Sequence, residues 1–276
     1  MWNTNRRSLT FSRPLIMGIV NVTPDSFSDG GRWFDEAIAV QHALRLIDEG
    51  ADIIDIGGES TRPGSIPVPE SDELARVVPT VARLAKQIDV PISIDTMKPE
   101  VARRCVDAGA EIVNDVSGLR DGNMIAVVRD TRAAVVVMHM QGTPQTMQAN
   151  PTYSDVVAEV GAFFAERLSR LAQAGIAAEQ ICFDPGFGFG KTTEHNWQLA
   201  ARLDKYKSIG RPICLGVSRK GFLGKDREPL ERVIAGLTIA CRSIVAGAAQ
   251  IIRTHDVAAT KDMIDTLQRI AEHDRQ

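Results

Sequence analysis

The sequence predicts an α/β protein, a closed (β/α)8 TIM barrel forming a single domain with a short N-terminal extension, and three observations carry that reading. A helix-to-strand unit recurs: Gly50-Ala51-Asp52-Ile53-Ile54-Asp55, Gly109-Ala110-Glu111-Ile112-Val113-Asn114 and, with one residue more, Gly247-Ala248-Ala249-Gln250-Ile251-Ile252-Arg253 each end a helix at glycine and enter a short buried strand. Eight short apolar runs alternate with helical segments, which implies parallel pairing with both sheet faces covered. Nearly every run is followed by a polar residue, as expected where strand ends share one mouth. An open doubly wound sheet is the alternative architecture.

The elements follow in order. Met1 to Phe11 is polar and lacks the apolar stretch of a secretion signal. Leu15 to Val20 is the first strand. The helix from about Asp35 to Glu49 lines up Ala37, Val40, Leu44 and Ile47, and the one from Ser71 to Gln87 lines up Leu74, Val77, Val81, Leu84 and Ile88, so each buries one face. Strands Ile53 to Ile56, Ile92 to Ile94, Ile112 to Val113, Ala133 to Met138, Ile181 to Phe183, Ile213 to Val217 and Gln250 to Ile252 complete the set. The remaining helices are Pro99 to Ala108, Asn123 to Asp130, Ser154 to Ala174, Glu194 to Lys205, Pro229 to Ala246 and Val257 to Glu272. The apolar stretch Ile234 to Ile252 is broken by Arg242 and Gln250, and reads as helix then strand rather than a membrane span. Ile234 to Val245 is apolar around more of its circumference than one contact needs, which points to a homodimer face or a wholly buried helix.

Charge narrows the partners. With 32 Lys plus Arg against 35 Asp plus Glu, the net charge is −3, and no bulk field favours nucleic acid or a membrane. A small-molecule ligand is expected. Cys105, Cys182, Cys214 and Cys241 lack metal-binding spacing and sit in apolar surroundings, as for free thiols of a cytoplasmic protein.

The chemistry concentrates at Asp184-Pro185-Gly186-Phe187-Gly188-Phe189-Gly190-Lys191, where a carboxylate ends an apolar run and alternating glycines open a turn. A phosphate loop would need glycine where Pro185 stands, and a dinucleotide fingerprint would need one where Lys191 stands, so the stretch is neither. The rim of strand ends comprises Asn21, Gly57 with Glu59, Asp95, Asn114, His139, Asp184, Ser218 with Lys220, and Arg253 with His255. Two carboxylates, an amide and an ammonium (Asp95, Asn114, Asp184, Lys220) suit a flat heterocycle with an amino-pyrimidinone edge, and Met138 suits its face. Helix capping is the plainer role for Asp95 and Asn114. Arg253, His255 and the helix start at Asp256, expected as its N-cap, suit an anion. Gly216-Val217-Ser218-Arg219-Lys220-Gly221 lacks the second glycine of a nucleophile elbow, so Ser218 is expected to bond a ligand rather than attack one. The Gly- and Pro-hinged loops Asn21 to Gly31 and Gly57 to Ser65 read as lids.

Met17-Gly18-Ile19-Val20-Asn21-Val22-Thr23-Pro24-Asp25-Ser26-Phe27-Ser28-Asp29-Gly30-Gly31 and Asp55-Ile56-Gly57-Gly58-Glu59-Ser60-Thr61-Arg62-Pro63-Gly64, with Asp184 to Lys191, Ser218-Arg219-Lys220 and Arg253-x-His255, resemble the dihydropteroate synthase family nearly end to end. Thr254, in place of an apolar residue, is a small departure. The resemblance implies transfer of hydroxymethyl-dihydropterin from its diphosphate to p-aminobenzoate, with Mg²⁺, in an enzyme class that sulfonamides inhibit. It further implies that Asp95, Asn114, Met138, Asp184 and Lys220 hold the pterin, that Asn21, Arg253 and His255 hold diphosphate, and that the metal sits at Asn21. Phe27, Thr61, Arg62, Pro63, Phe189 and Ser218 would then shape the aminobenzoate pocket, and Asp95, Lys220, Arg253 and His255 would carry the chemistry. A pterin barrel serving a corrinoid methyltransferase, a silent binding paralogue, and an aldolase-like barrel with Lys220 as a Schiff base are the rival expectations.

Overall fold

The computed structural model describes residues 1–22, 32–61 and 64–274. Phe27, Arg62 and Pro63, with all of the first expected lid loop beyond Val22, lie outside the described residues.

The chain opens with a hairpin in which β1 (Trp2–Asn3) runs antiparallel to β2 (Ser8–Leu9). This corrects the expectation of a merely polar extension. Trp2 is fully buried and donates its indole N–H to Gln180 O at 2.8 Å. It packs with Met17, Ile53, Ile112, Ala134, Val136, Cys182, Cys214 and Ile251, so the hairpin plugs the strand-start end of the barrel. Trp2 is the main anchor, with Leu9 and Phe11 packed against the same cluster.

Eight parallel strands follow: β3 (Leu15–Asn21), β4 (Ile53–Gly57), β5 (Ile92–Asp95), β6 (Ile112–Asp115), β7 (Ala134–Met138), β8 (Ile181–Asp184), β9 (Cys214–Leu215) and β10 (Ile251–Thr254). Their lateral order is β8-β7-β6-β5-β4-β3-β10-β9. A bridge between Phe183 and Ile213, with Phe183 N–H donating to Pro212 O at 2.9 Å, joins the two ends of that row and closes the barrel. Around it lie α1 (Arg32–Asp48), α2 (Glu70–Leu84), α3 (Pro99–Ala108), α4 (Gly122–Thr131), α5 (Val156–Gln173), α6 (Thr193–Ala201), α7 (Val233–Val245) and α8 (Val257–His273). The continuous apolar layer between strands and helices is the main core. The recurring glycine is a steric requirement as well as a marker: Gly109 has φ +125°, and a Cβ there would lie 2.5 Å from that of Ala85.

Several expected boundaries shift. Most strands run one or two residues further, so Asn21, Asp95, Asn114, Asp184 and Arg253 are themselves ladder residues rather than the first loop residues. The seventh barrel strand is the pair Cys214–Leu215, with Ile213 adding a single bridge, and it leaves the ladder at Gly216, where a methyl group would lie 3.4 Å from Asp184 Oδ2. The helix expected to reach Lys205 ends at Ala201, because Arg202 leaves helical geometry at φ −125° and a 3₁₀ segment, Leu203–Ile209, takes over to bury Leu203 and Tyr206. Among the described residues no helix is long and apolar enough to cross a membrane.

Candidate active site

Strand register sets the first level of the site. Asn21 pairs laterally with Gly57, Gly57 with Asp95, and Asp95 with Asn114, which places three polar side chains at one height around β3 to β6. Gly57 keeps the gap open between two of them: a Cβ there would lie 3.6 Å from Asp95 Cβ and 3.9 Å from Asn21 Oδ1. Asp55, two residues earlier in β4, points to the same side of the strand by simple alternation.

Arg253 crosses this level from β10. Its Nε donates to Asp55 Oδ2 at 2.6 Å and its Nη2 to Asp95 Oδ2 at 2.7 Å, while Asn114 Nδ2 donates to Asp55 Oδ2 at 3.1 Å. One guanidinium therefore bridges two buried carboxylates, and neither Asp95 nor Asn114 caps a helix. The second oxygen of each carboxylate, Asp55 Oδ1 and Asp95 Oδ1, is buried without a hydrogen-bond partner among the described residues. Buried acceptors left in this way are where a ligand's N–H groups gain most. Burial, reinforced by Asp55, Glu73 and Asp115, pushes Asp95 up to about 7 against the opposing pull of Arg253. Burial lowers the affinity of Arg253 for its proton, but Asp55 and Asp95 outweigh it, so the guanidinium stays charged.

Across the mouth Asp184 ends β8 opposite Met138, and its Oδ1 accepts from Gly186 N–H at 2.7 Å. Burial raises its pKa, while Gly186 N–H, Lys220, Arg253 and Lys191 pull it down. Lys220 sits with Nζ 4.1 Å from the centroid of Phe189, a cation over a ring face. The turn that presents Lys220 holds Arg219 at φ +58°, an unfavourable region for a side chain of that size. Asp256 holds it there, accepting from Arg219 Nε at 3.1 Å and Nη2 at 2.5 Å. Asp256 is the N-cap of α8, as expected, but its side chain makes no capping bond because Arg219 engages the carboxylate.

Ser218 and His255 form the outer flank. Ser218 Oγ accepts from His255 N–H at 3.1 Å and lies 3.0 Å from His255 Nδ1. With the hydroxyl donating to Nδ1, the ring proton belongs on Nε2. Burial, then Arg253 and Arg219, lower His255 to about 3, so it is a neutral donor and not a cation. Ser218 thus faces His255 rather than the cleft that Phe189 lines. Thr254 Oγ1 accepts from Asp256 N–H at 3.0 Å, and that side chain is buried away from the mouth.

Thr61, Asp95, Asn114, Met138, Asp184, Phe189, Lys220 and Arg253 line one cleft with about 320 Å³ of free space, open mouth included, at the lower end of the range for small-molecule sites. Met138 packs with Val116, Met140, Met147 and Phe189 as its apolar wall. Two rim residues turn elsewhere. Glu59 Oε2 accepts from Lys98 Nζ at 2.6 Å, and His139, whose pKa burial and Lys191 push down to about 2, lies against Lys191. Asn21, beside Asp95 at the Gly57 gap, offers an amide oxygen of the kind hard cations take. Among the described residues no cluster of three or more His, Cys, Asp or Glu is placed to hold a metal.

Asp55 was not assigned a role from sequence. The available signal was a carboxylate inside the isoleucine-rich strand Ile53–Gly57, on the same side as Gly57.

Residues 17–255 match the model of the pterin binding enzyme family. The chain is 46% identical over 263 residues to the dihydropteroate synthase of Escherichia coli K12, covering 95% of this chain and 93% of that one. Among solved structures, Xanthomonas albilineans dihydropteroate synthase with 4-aminobenzoic acid superposes with a TM-score of 0.88 at 47% identity, covering 95% of each chain. Burkholderia cenocepacia dihydropteroate synthase complexed with 7,8-dihydropteroate gives 0.90 at 46% identity, over 100% of this chain and 98% of that one.

Proposed function

This chain belongs to the pterin-binding enzymes and, within them, to the dihydropteroate synthase family, and from that premise we propose the part each mouth residue takes in the reaction. The enzyme condenses p-aminobenzoate with hydroxymethyl-dihydropterin diphosphate, giving dihydropteroate and diphosphate. The observation that carries the role assignment is the Arg253 bridge between Asp55 and Asp95, with one buried oxygen of each carboxylate left over.

A pterin ring presents N–H donors along its amino-pyrimidinone edge. Asp184, Asp95 and Asn114 accept from those donors, and Lys220 donates to the ring carbonyl and nitrogen. Met138 and Phe189 pack on the ring faces, and Phe189 with Thr61 borders the aminobenzoate space; Ser218, turned to His255, serves that flank of the mouth instead, and Phe27, Arg62 and Pro63 lie outside the described residues. The diphosphate lies toward Asn21, Arg253, the Nε2–H of His255 and the N-terminus of α8. Mg²⁺, held by Asn21 Oδ1 together with substrate and water oxygens, would supply charge neutralisation of the leaving group.

Two carboxylates against one guanidinium leave the floor with net negative charge once Asp95 is ionised. That charge favours positive charge developing on the pterin methylene and opposes an anion staying beside it. The C–O bond to diphosphate therefore breaks first, its electron pair leaving with diphosphate; the cation delocalises into the ring, and the aryl amine then forms the C–N bond and loses a proton. Supplying both substrates with Mg²⁺ should yield dihydropteroate and diphosphate in equal amounts. With ¹⁸O in the bridging position, recovered substrate should show the label scrambled to non-bridging positions. Product without any scrambling overturns the dissociative order, and absence of product overturns the assignment.

A further inference from the structure

The Asp184 to Lys191 turn matches no phosphate-binding loop, and its geometry gives the reason. A phosphate loop aims backbone N–H groups outward at an anion. Here the carbonyls converge inward on a cation that the chain itself supplies. Lys191 Nζ lies 3.0 Å from Gly186 O, 3.0 Å from Phe189 O, 3.2 Å from His139 O and 3.0 Å from His139 Nδ1, with the residue only 3% exposed. The glycines make that convergence possible. Gly186 (φ +69°) passes so close to His139 that a Cβ would lie 2.0 Å from its carbonyl oxygen, and at Gly190 (φ +56°) a Cβ would lie 2.8 Å from Gln141 O. The same turn carries Asp184 at its start and Phe189, the ring under Lys220, near its end.

We propose that Lys191 is a positioning residue for the pterin site: its ammonium is the internal cation around which the turn is wound, and it sets both the aim and the charge of Asp184 as well as the seat of Phe189. This rests on the pterin reading of the cleft. Three carbonyls and an imidazole nitrogen surround one ammonium, so losing it strips that shared donor from Phe189 O and His139 O and leaves Gly186 O with the Phe189 N–H bond at 3.0 Å. The second effect is electrostatic. Asp184 faces Lys220 after β9, Arg253 on β10, Lys191, and the thiols of Cys182 and Cys214; Lys191 faces Asp184, Lys220 and His139, with Arg120 and Tyr153 beyond His139. Burial lowers Lys191 to about 7, so it is cationic through the acid range in which Asp184 would gain a proton.

The test is the carboxyl titration of Asp184, followed by ¹³C NMR with the resonance identified by its loss in Asp184→Asn. Lys191→Met removes the charge and the donors; Lys191→Gln keeps a donor and removes the charge. Both should raise the Asp184 midpoint by about one pH unit. Lys191→Met should also weaken binding of 6-hydroxymethylpterin about tenfold, with Lys191→Gln weakening it less. An unchanged Asp184 midpoint in folded variants overturns the proposal, since a merely structural lysine would leave it alone. Should neither variant fold, the Lys191 ¹⁵Nζ resonance of the unmodified protein should shift with the Asp184 midpoint, and indifference to it overturns the proposal equally. Failure of the unmodified protein to bind the pterin would instead strike at the pterin reading of the cleft.

Discussion

Two carboxylates sharing one guanidinium give the floor of the mouth a charge that depends on pH near neutrality. Asp95, lifted to about 7 chiefly by burial, is protonated on the acid side of that value, and with Oδ2 held by Arg253 a proton on Oδ1 meets a pterin N–H donor to donor. Its elevation also means that this carboxyl favours the fold below its ordinary value of 3.8 and withdraws that support as pH rises through about 7, until ligand donors compensate. Titration of 6-hydroxymethylpterin should therefore show its Kd rising about tenfold for each pH unit below about 7, and Asp95→Asn should flatten that slope. Legibility at this scale was uneven. Asp95, Asn114, Asp184, Lys220 and Arg253 could be read as rim residues because each follows an apolar run. Asp55 could not be weighed the same way, because it lies within its run, and only the register that brings Arg253 across from β10 reveals what it does. The neutrality of His255 was likewise hidden, since it follows from burial beside Arg253.

Among the elements, the hairpin and the turns departed most from the sequence reading. A two-residue strand such as β1 has no period to detect, and Trp2 declares its place only when the barrel exists to receive it. Trp2→Ala should cost about 3–5 kcal/mol in chemical denaturation, by emptying the bottom layer, while the folded fraction keeps its turnover because the plug lies at the end away from the mouth. Equal losses of turnover and stability at low denaturant would contradict that separation. The turn after β9 shows the converse case. The motif Ser218-Arg219-Lys220 was visible, but its left-handed Arg219 and the Asp256 brace are tertiary facts that no local pattern encodes.

For the whole molecule, the repeat of glycine-ended helices entering short strands was enough to anticipate closure, since every unit buries its strand on both faces and leaves one polar end. What the pattern could not show was how narrowly the circle closes, at Phe183 and Ile213, where β9 is only two residues long. The apolar helix that pointed to a second copy has Ile234 79% and Val245 71% exposed, which excludes a wholly buried helix in this chain. Light scattering should accordingly give about twice the 30.0 kDa chain mass. A single chain mass at micromolar concentration would remove that expectation.

Strand ends distant in sequence act as one site. Dihydropteroate formation by Asp95→Asn, Asp184→Asn, Lys220→Ala and Arg253→Ala, each with an intact fold by circular dichroism, is the deciding measurement. Because each removes a charged partner of one bound substrate, every variant should lose at least about tenfold in kcat/KM for the pterin diphosphate. Undiminished product from any one of them, with the fold intact, would contradict the account.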